Sequence, residues 1–139
     1  MQRRVAVIGR GTVGILSLME LLTYTDVEVT CIFDESVPVT SVGEATTYAI
    51  PFLLKGCISN TEILHKVIKS LGATARVGTE FKWKDSSDDS RSFNVPYGDA
   101  GMHLDASKFS SVVLGSLTEE YPERLSLINE RVHKVKDRI

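Results

Sequence analysis

VAVIGRGTVG, residues 5–14, joins an apolar run to three glycines spaced G-x-G-x-x-G. Residues 5–8 predict a short, fully apolar strand. Residues 12–25 predict a helix: Ile15, Leu16, Leu18, Met19, Leu21 and Leu22 cover most of its circumference and call for heavy burial. Residues 27–33 predict a second, β-branched strand. Strand, glycine turn, helix and strand within about thirty residues make a βαβ unit, whose crossover joins parallel strands. In such a turn Gly9 allows the sharp bend, Gly11 lets a pyrophosphate reach the backbone, and Gly14 lets the helix pack closely on the strand. The N–H groups at the helix start, around Thr12 and Val13, are then placed to hold a diphosphate. The motif by itself is common. Its place between a predicted strand and a predicted helix is what points to a dinucleotide. A tight turn that meets no ligand is the alternative, and Arg10 fits both.

The second strand closes in CIFDES, residues 31–36. Asp34 lies twenty residues beyond Gly14, the spacing at which an acidic residue takes the ribose hydroxyls. Glu35 is adjacent, and a one-residue shift would turn the Asp34 side chain the other way. A solvated acidic turn is the bland reading of the pair.

Further along, residues 51–55 predict a short helix, with Pro51 in its first turn and Gly56 ending it. Asn60 predicts the cap of a helix to Leu71, stopped by Gly72, with Ile63, Leu64, Val67, Ile68 and Leu71 on one face. Residues 76–83 read as a strand, with Trp83 as core packing. Residues 84–92, KDSSDDSRS, read as a polar loop. Residues 93–97 suggest a strand and Tyr97-Gly98-Asp99 a turn. Asp105 predicts the cap of a helix to about Tyr121, with Phe109, Val112, Val113 and Leu117 inward, and a last strand lies within residues 125–135. No repeat and no linker divides residues 1–139, so a single domain is expected.

Composition excludes several classes of function. With 42% apolar and 24% charged residues and a net charge of -2, the chain has no electrostatic footprint for nucleic acid or an anionic membrane. The opening MQRRVAVIG starts like a signal peptide, but its apolar run stops at Gly9. No apolar stretch approaches a membrane span. Cys31 and Cys57 are unclustered and read as reduced thiols of a cytoplasmic protein. His65, His103 and His133 have no metal-ligand spacing, so no metal is expected. His103, just ahead of Asp105, reads as leading into the helix, and Ser110 and Ser111 lack a nucleophile-elbow context.

One loop fits no surface role. SVGEATTYAIP, residues 41–51, sets a single glutamate among small residues between a strand and a helix. With GRGTVG before it, SVPVTSVGEAT and a proline-led helix resemble the flavin-dependent halogenases, the tryptophan halogenase family, whose N-terminus carries GxGTAG, a strand, a proline, VGEAT and IP in the same order. LGATARVGTEFKW, residues 71–83, and MHLDASKFSSVVL, residues 102–114, resemble later stretches of that family, so the likeness spans essentially the whole chain. The resemblance implies a Rossmann-like α/β fold that binds FAD, incomplete beside the full-length enzymes. It implies that the loop of Val42, Gly43, Glu44, Ala45 and Thr46 lies against the flavin. Gly43 and Ala45 would then permit the approach of a flat ring, Thr46 would cap the next helix, and Glu44 would fix the loop by accepting hydrogen bonds. It also implies oxidation of a halide by reduced flavin and oxygen, with a separate flavin reductase as electron source, the cofactor carrying the chemistry.

Three departures from the family pattern stand out. A gap-free alignment puts Phe33, not Asp34, where the family has its ribose-binding glutamate. The family's active-site lysine has no lysine opposite it: one alignment places Arg76 there and another Ala75. Arginine stays protonated and does not replace a reactive amine, and a strand-edge surface charge is the plain reading of Arg76. The family's W-x-W-x-I-P motif and halide-binding residues would lie beyond Ile139. The sequence therefore leads to an FAD-binding halogenase or monooxygenase relative that does not halogenate alone, with self-association or a complementing chain to complete its sheet. The alternative is a non-catalytic flavin- or nucleotide-binding module, and an NAD(P)-dependent protein would leave VGEAT unexplained.

Overall fold

Three parallel strands and one antiparallel pair share the chain. The computed structural model describes residues 3–39, 45–84 and 90–135. The elements run β1 (Arg4–Ile8), α1 (Thr12–Tyr24), β2 (Glu28–Phe33), α2 (Ala49–Cys57), α3 (Thr61–Ser70), β3 (Thr74–Lys84), β4 (Ser90–His103), α4 (Ala106–Glu120) and β5 (Leu125–Asn129). Strands β1 and β5 flank β2, and both pairings are parallel. The expected βαβ unit is therefore present, at nearly the expected bounds.

Alternation along the strands assigns the two faces of the parallel sheet. Val29, Cys31 and Phe33 of β2 are buried, as is Leu125 of β5, and Val5 and Val7 of β1 pack beside them. That face receives α1, whose Ile15, Leu18, Met19 and Leu22 are at most 1% exposed. Helix α1 also packs against α2 and α4, which explains why its apolar residues go most of the way round. The opposite face carries Ile8, Ile32 and Ile128 in one row across the three strands. Ile8 is 55% exposed and Ile128 39%. A parallel sheet ordinarily has both faces covered. Among the described residues, β1 and β5 each pair only with β2.

Local signals set several boundaries. The Asn60 side chain accepts from the N–H groups of Glu62 and Ile63 at the head of α3, and Gly72 ends that helix with φ +58°. Asp105 accepts from Ser107 at the head of α4, and its carboxyl is lowered to about 2 by Lys108 first and Ser107 second. Helix α2 is longer than expected. It starts at Ala49, so Pro51 still falls in the first turn, where its missing N–H costs nothing. It continues through Gly56 because Leu54 and Cys57 are both buried on its inner side. The antiparallel β4 begins at Ser90, inside the stretch expected to be loop. Residues 97–99, expected as a turn, belong to β4. Arg76 pairs with Gly101 and Gly78 with Pro96, so residues 97–100 stand opposite Val77 alone as an irregular step. Trp83 is 45% exposed rather than core, because β3 runs on past the packed end of the pair.

Arg124 fastens the carboxyl end of α1 to the start of β2. Its guanidinium donates to the carbonyls of Leu22 at 3.0 Å, Thr25 at 2.6 Å and Val27 at 3.3 Å, and lies 5.6 Å from the Tyr121 ring centre. These carbonyls have left the helix ladder or not yet entered the sheet, so the arginine fills acceptors that both elements leave over. Arg124→Ala is expected to lower the unfolding free energy by about 2 kcal/mol in urea denaturation. A loss below about 0.5 kcal/mol would mean that water replaces the clamp.

Candidate nucleotide-binding site

The glycine turn leaves β1 at its carboxyl end and enters α1, with Gly9 N–H donating to the Ile32 carbonyl at 2.8 Å. Each glycine answers to a different constraint. Gly9 has φ +98°, a conformation that disfavours any side chain. At Gly14 a Cβ would stand 2.1 Å from the Gly9 carbonyl oxygen, so the first turn of α1 is pressed onto the loop. Gly11 has φ -66° and is the N-cap of α1, and a Cβ there would meet nothing within 4 Å. Neither its backbone nor the protein around it requires a glycine. The open space at Gly11 lies beside a helix N-terminus with no side-chain cap and no acidic residue in its first turn. The N–H groups of Thr12 and Val13 are the donors such a terminus leaves without helical partners.

Outside the carboxyl ends of β1 and β2 is an open cavity of about 320 Å³, lined by Gly9, Arg10, Gly11, Asp34, Val39 and Arg131 among others. That is where α/β sheets receive ligands, and the volume suits part of a dinucleotide. Arg10 lies across this cavity. Its guanidinium stacks 4.7 Å from the Phe33 ring centre and pairs with Glu35 at 3.6 Å. Among the described residues its Nε is buried without a hydrogen-bond partner, a donor that an acceptor on a ligand would satisfy. Phe33 is only 8% exposed, turned to the helix-covered face beneath Arg10. Asp34 Oδ1 accepts from the Ser36 N–H at 2.8 Å and the Ser36 hydroxyl at 2.5 Å. The Ser36 hydroxyl, then its N–H, hold the carboxyl below its ordinary range. Both bonds fall on Oδ1, so Asp34 shapes the turn with one oxygen.

The second group of expected residues meets on the antiparallel pair. Val42, Gly43 and Glu44 lie outside the described residues. Ala45 bridges to His103. Thr46 N–H donates to the Met102 carbonyl at 2.8 Å, and Met102 N–H donates to the Thr46 hydroxyl at 3.2 Å. Thr46 therefore does not cap α2: its hydroxyl is engaged by Met102, and the helix begins three residues later behind Tyr48, which makes no side-chain cap. Arg76, in β3, donates to the Thr46 carbonyl at 3.3 Å and to the Thr79 hydroxyl at 2.6 Å. The structure thus gathers Gly9, Arg10, Gly11 and Asp34 at the parallel sheet, and Ala45, Thr46 and Arg76 at the other. The Arg10–Phe33 stack and the Met102 anchor were not foreseen. An isolated glycine within a strand, Gly101, was the available signal for the second, since it marks close backbone approach.

Fold and turn together define an α/β unit with a parallel sheet, a glycine turn and a helix laid back on the sheet. The family model for tryptophan halogenase matches residues 4–137, and the chain belongs to that family. Solved structures share the fold. A tryptophan halogenase from Shewanella frigidimarina is 17% identical with a TM-score of 0.79, and the match covers 99% of this chain and 38% of that one. A flavin-dependent halogenase from Xanthomonas campestris is 16% identical with a TM-score of 0.75, covering 98% and 36%. The halogenase PltM, solved with phloroglucinol and FAD, is 18% identical with a TM-score of 0.61, covering 99% and 29%. The chain thus spans well under half the length of these structures. No curated protein matches it.

The glycines predict a contrast measurable by urea denaturation. Gly14→Ala is expected to cost about 3 kcal/mol, because the clash is with backbone. Gly11→Ala is expected to stay within about 1 kcal/mol of the wild type. Equal losses would mean that Gly11 serves the fold and not a ligand.

Proposed function

We propose that this chain forms the FAD-binding part of a flavin-dependent halogenase. The observation that carries the reading is the open space at Gly11 beside the orphaned Arg10 Nε: room and donors together, with no protein group among the described residues to fill them. In this reading the N–H groups of Thr12 and Val13 hold the diphosphate between Gly9 and Gly14. Asp34 offers Oδ2 to the ribose, while Arg10 lies over Phe33 where the family has a carboxylate. By the family resemblance, Val42, Gly43, Glu44, Ala45 and Thr46 are the residues assigned to the flavin ring. Supplied with electrons by a separate reductase, the flavin with oxygen provides the oxidising power for halide in the complete enzyme. This chain's residues bind and orient the cofactor and shield it from water. FAD in a halogenase of the same fold supports the choice of cofactor.

Titration by fluorescence quenching tests the reading. FAD is expected to bind in preference to NAD and NADP, and Gly11→Glu to abolish binding without unfolding the chain, since a carboxylate would take the diphosphate's place. A preference for a nicotinamide cofactor contradicts the assignment.

We also infer that residues 1–139 act as one unit whose parallel sheet is covered in the working protein, by a second copy or by further polypeptide. The support is the row of Ile8, Ile32 and Ile128, exposed at its two ends and half-buried at Ile32, and the two unpaired sheet edges among the described residues. Sedimentation velocity on this chain should show association that grows with concentration and weakens in Ile128→Lys. A compact monomer at every concentration would contradict the inference.

A further inference from the structure

Residues 123–131 read ERLSLINER, and turned end for end the stretch answers its own charges. Its centre is β5, an edge strand of the parallel sheet among the described residues. Proteins ordinarily blunt such an edge with a lysine, a proline or a bulge. Residues 125–129, LSLIN, hold no proline and no charge, and their register against β2 runs without a break. Ser126 to Asn129 are all exposed. Leu127 is 41% exposed although it lies on the helix-covered side with the buried Leu125. The backbone shows which groups face outward. The Arg124 carbonyl accepts from the Val29 N–H at 2.8 Å, and along a parallel ladder alternate residues address the partner strand. The Arg124 carbonyl and the N–H and carbonyl groups of Ser126 and Ile128 therefore face β2. Those of Leu127 and Asn129 face away, as does the Leu125 carbonyl, while the Leu125 N–H returns to the Tyr121 carbonyl at 2.9 Å.

We propose, on the reading above that the parallel sheet is covered in the working protein, that β5 pairs antiparallel with β5 of a second copy. The two-fold axis passes Leu127 and joins the two parallel sheets into one. In this register Leu127 meets Leu127 of the second copy as a hydrogen-bonded pair, Leu125 faces Asn129, and Ser126 faces Ile128. The outward N–H groups then meet outward carbonyls: Leu127 with the opposing Leu127, and Asn129 with the opposing Leu125. The ends of the stretch set the orientation. Arg124 comes opposite Glu130, and Glu123 comes toward Arg131. A parallel, in-register pair would instead set each charge against its like. Exposed ion pairs add little affinity, but they select between orientations. The other edge has no such match: about Ala6 of β1, Arg4 would meet Ile8 and Arg3 would meet Gly9.

The test uses the whole chain. Sedimentation velocity should show a dimer that Leu127→Pro weakens at least about tenfold, because each copy loses an outward donor and nothing of its ladder to β2. Circular dichroism of the dilute variant should match the wild type. The register is read by disulfide formation between two single variants, Ser126→Cys and Ile128→Cys. Mixed and oxidised, they should give a covalent dimer, since these neighbours form a non-hydrogen-bonded pair with Cα atoms about 4.5 Å apart. Either variant alone should give several-fold less, and the native Cys31 and Cys57 are buried. Should Leu127→Pro fail to fold, the cross-linking decides alone. A dimer that folded Leu127→Pro leaves intact overturns the proposal, as does a mixture that cross-links no better than its components. Either result leaves the covered-sheet reading standing. A chain that stays monomeric at every concentration overturns both.

Discussion

The Gly9 carbonyl oxygen lies where a side chain on Gly14 would have to be, 2.1 Å from a Cβ built there. The rest of the structure hangs on that contact. It brings the first turn of α1 down onto the end of β1, and the helix can then run back across the sheet with Ile15, Leu18, Met19 and Leu22 fully buried. It also sets the start of α1 directly behind Gly11, which lines the cavity at the carboxyl ends of the strands. Helix packing and the shape of the turn therefore share one close approach. The glycine that is required for packing and the glycine that leaves space are three residues apart.

The two sheets divide the labour. The parallel sheet presents the turn, Arg10 and Asp34 at one end. The antiparallel pair carries Thr46 and Arg76. The loop between β2 and α2 is anchored to the second sheet at Thr46, through bonds to Met102, a residue 56 positions away in the chain. Identities of 16–18% to solved halogenases accompany a conserved backbone. What such a distance does not preserve is the chemistry of single side chains: by the resemblance, the family's glutamate falls on Phe33 and its lysine on either Ala75 or Arg76.

Local physics made much of the fold readable. Asn60, Asp105 and Gly72 act within a few residues of themselves, and the structure finds each at its helix end. The βαβ unit was readable because an apolar strand, a glycine turn and a helix follow one another directly. The unreadable parts depend on residues distant in sequence. Whether Thr46 caps α2 or bonds Met102 depends on where β4 comes to lie. Gly56 looked like a stop, but burial of Cys57 carried the helix past it. Arg10 was ambiguous because its orientation depends on Phe33, on the neighbouring strand. The partly exposed row of isoleucines needs the register of three strands, with β5 almost a hundred residues from β2 (Ile32 pairs with Ile128).

The central claim is that the turn at Gly9–Gly14 is shaped for a diphosphate and not merely for packing. The most direct test is a two-dimensional amide NMR titration of the ¹⁵N-labelled chain with ADP, which carries the diphosphate without the flavin ring. The expected result is saturable shifts concentrated at Gly11, Thr12, Val13 and Gly14, with smaller ones near Asp34 and none along α3. Shifts spread evenly over the surface, or a turn that stays silent at saturating ADP, would contradict the claim.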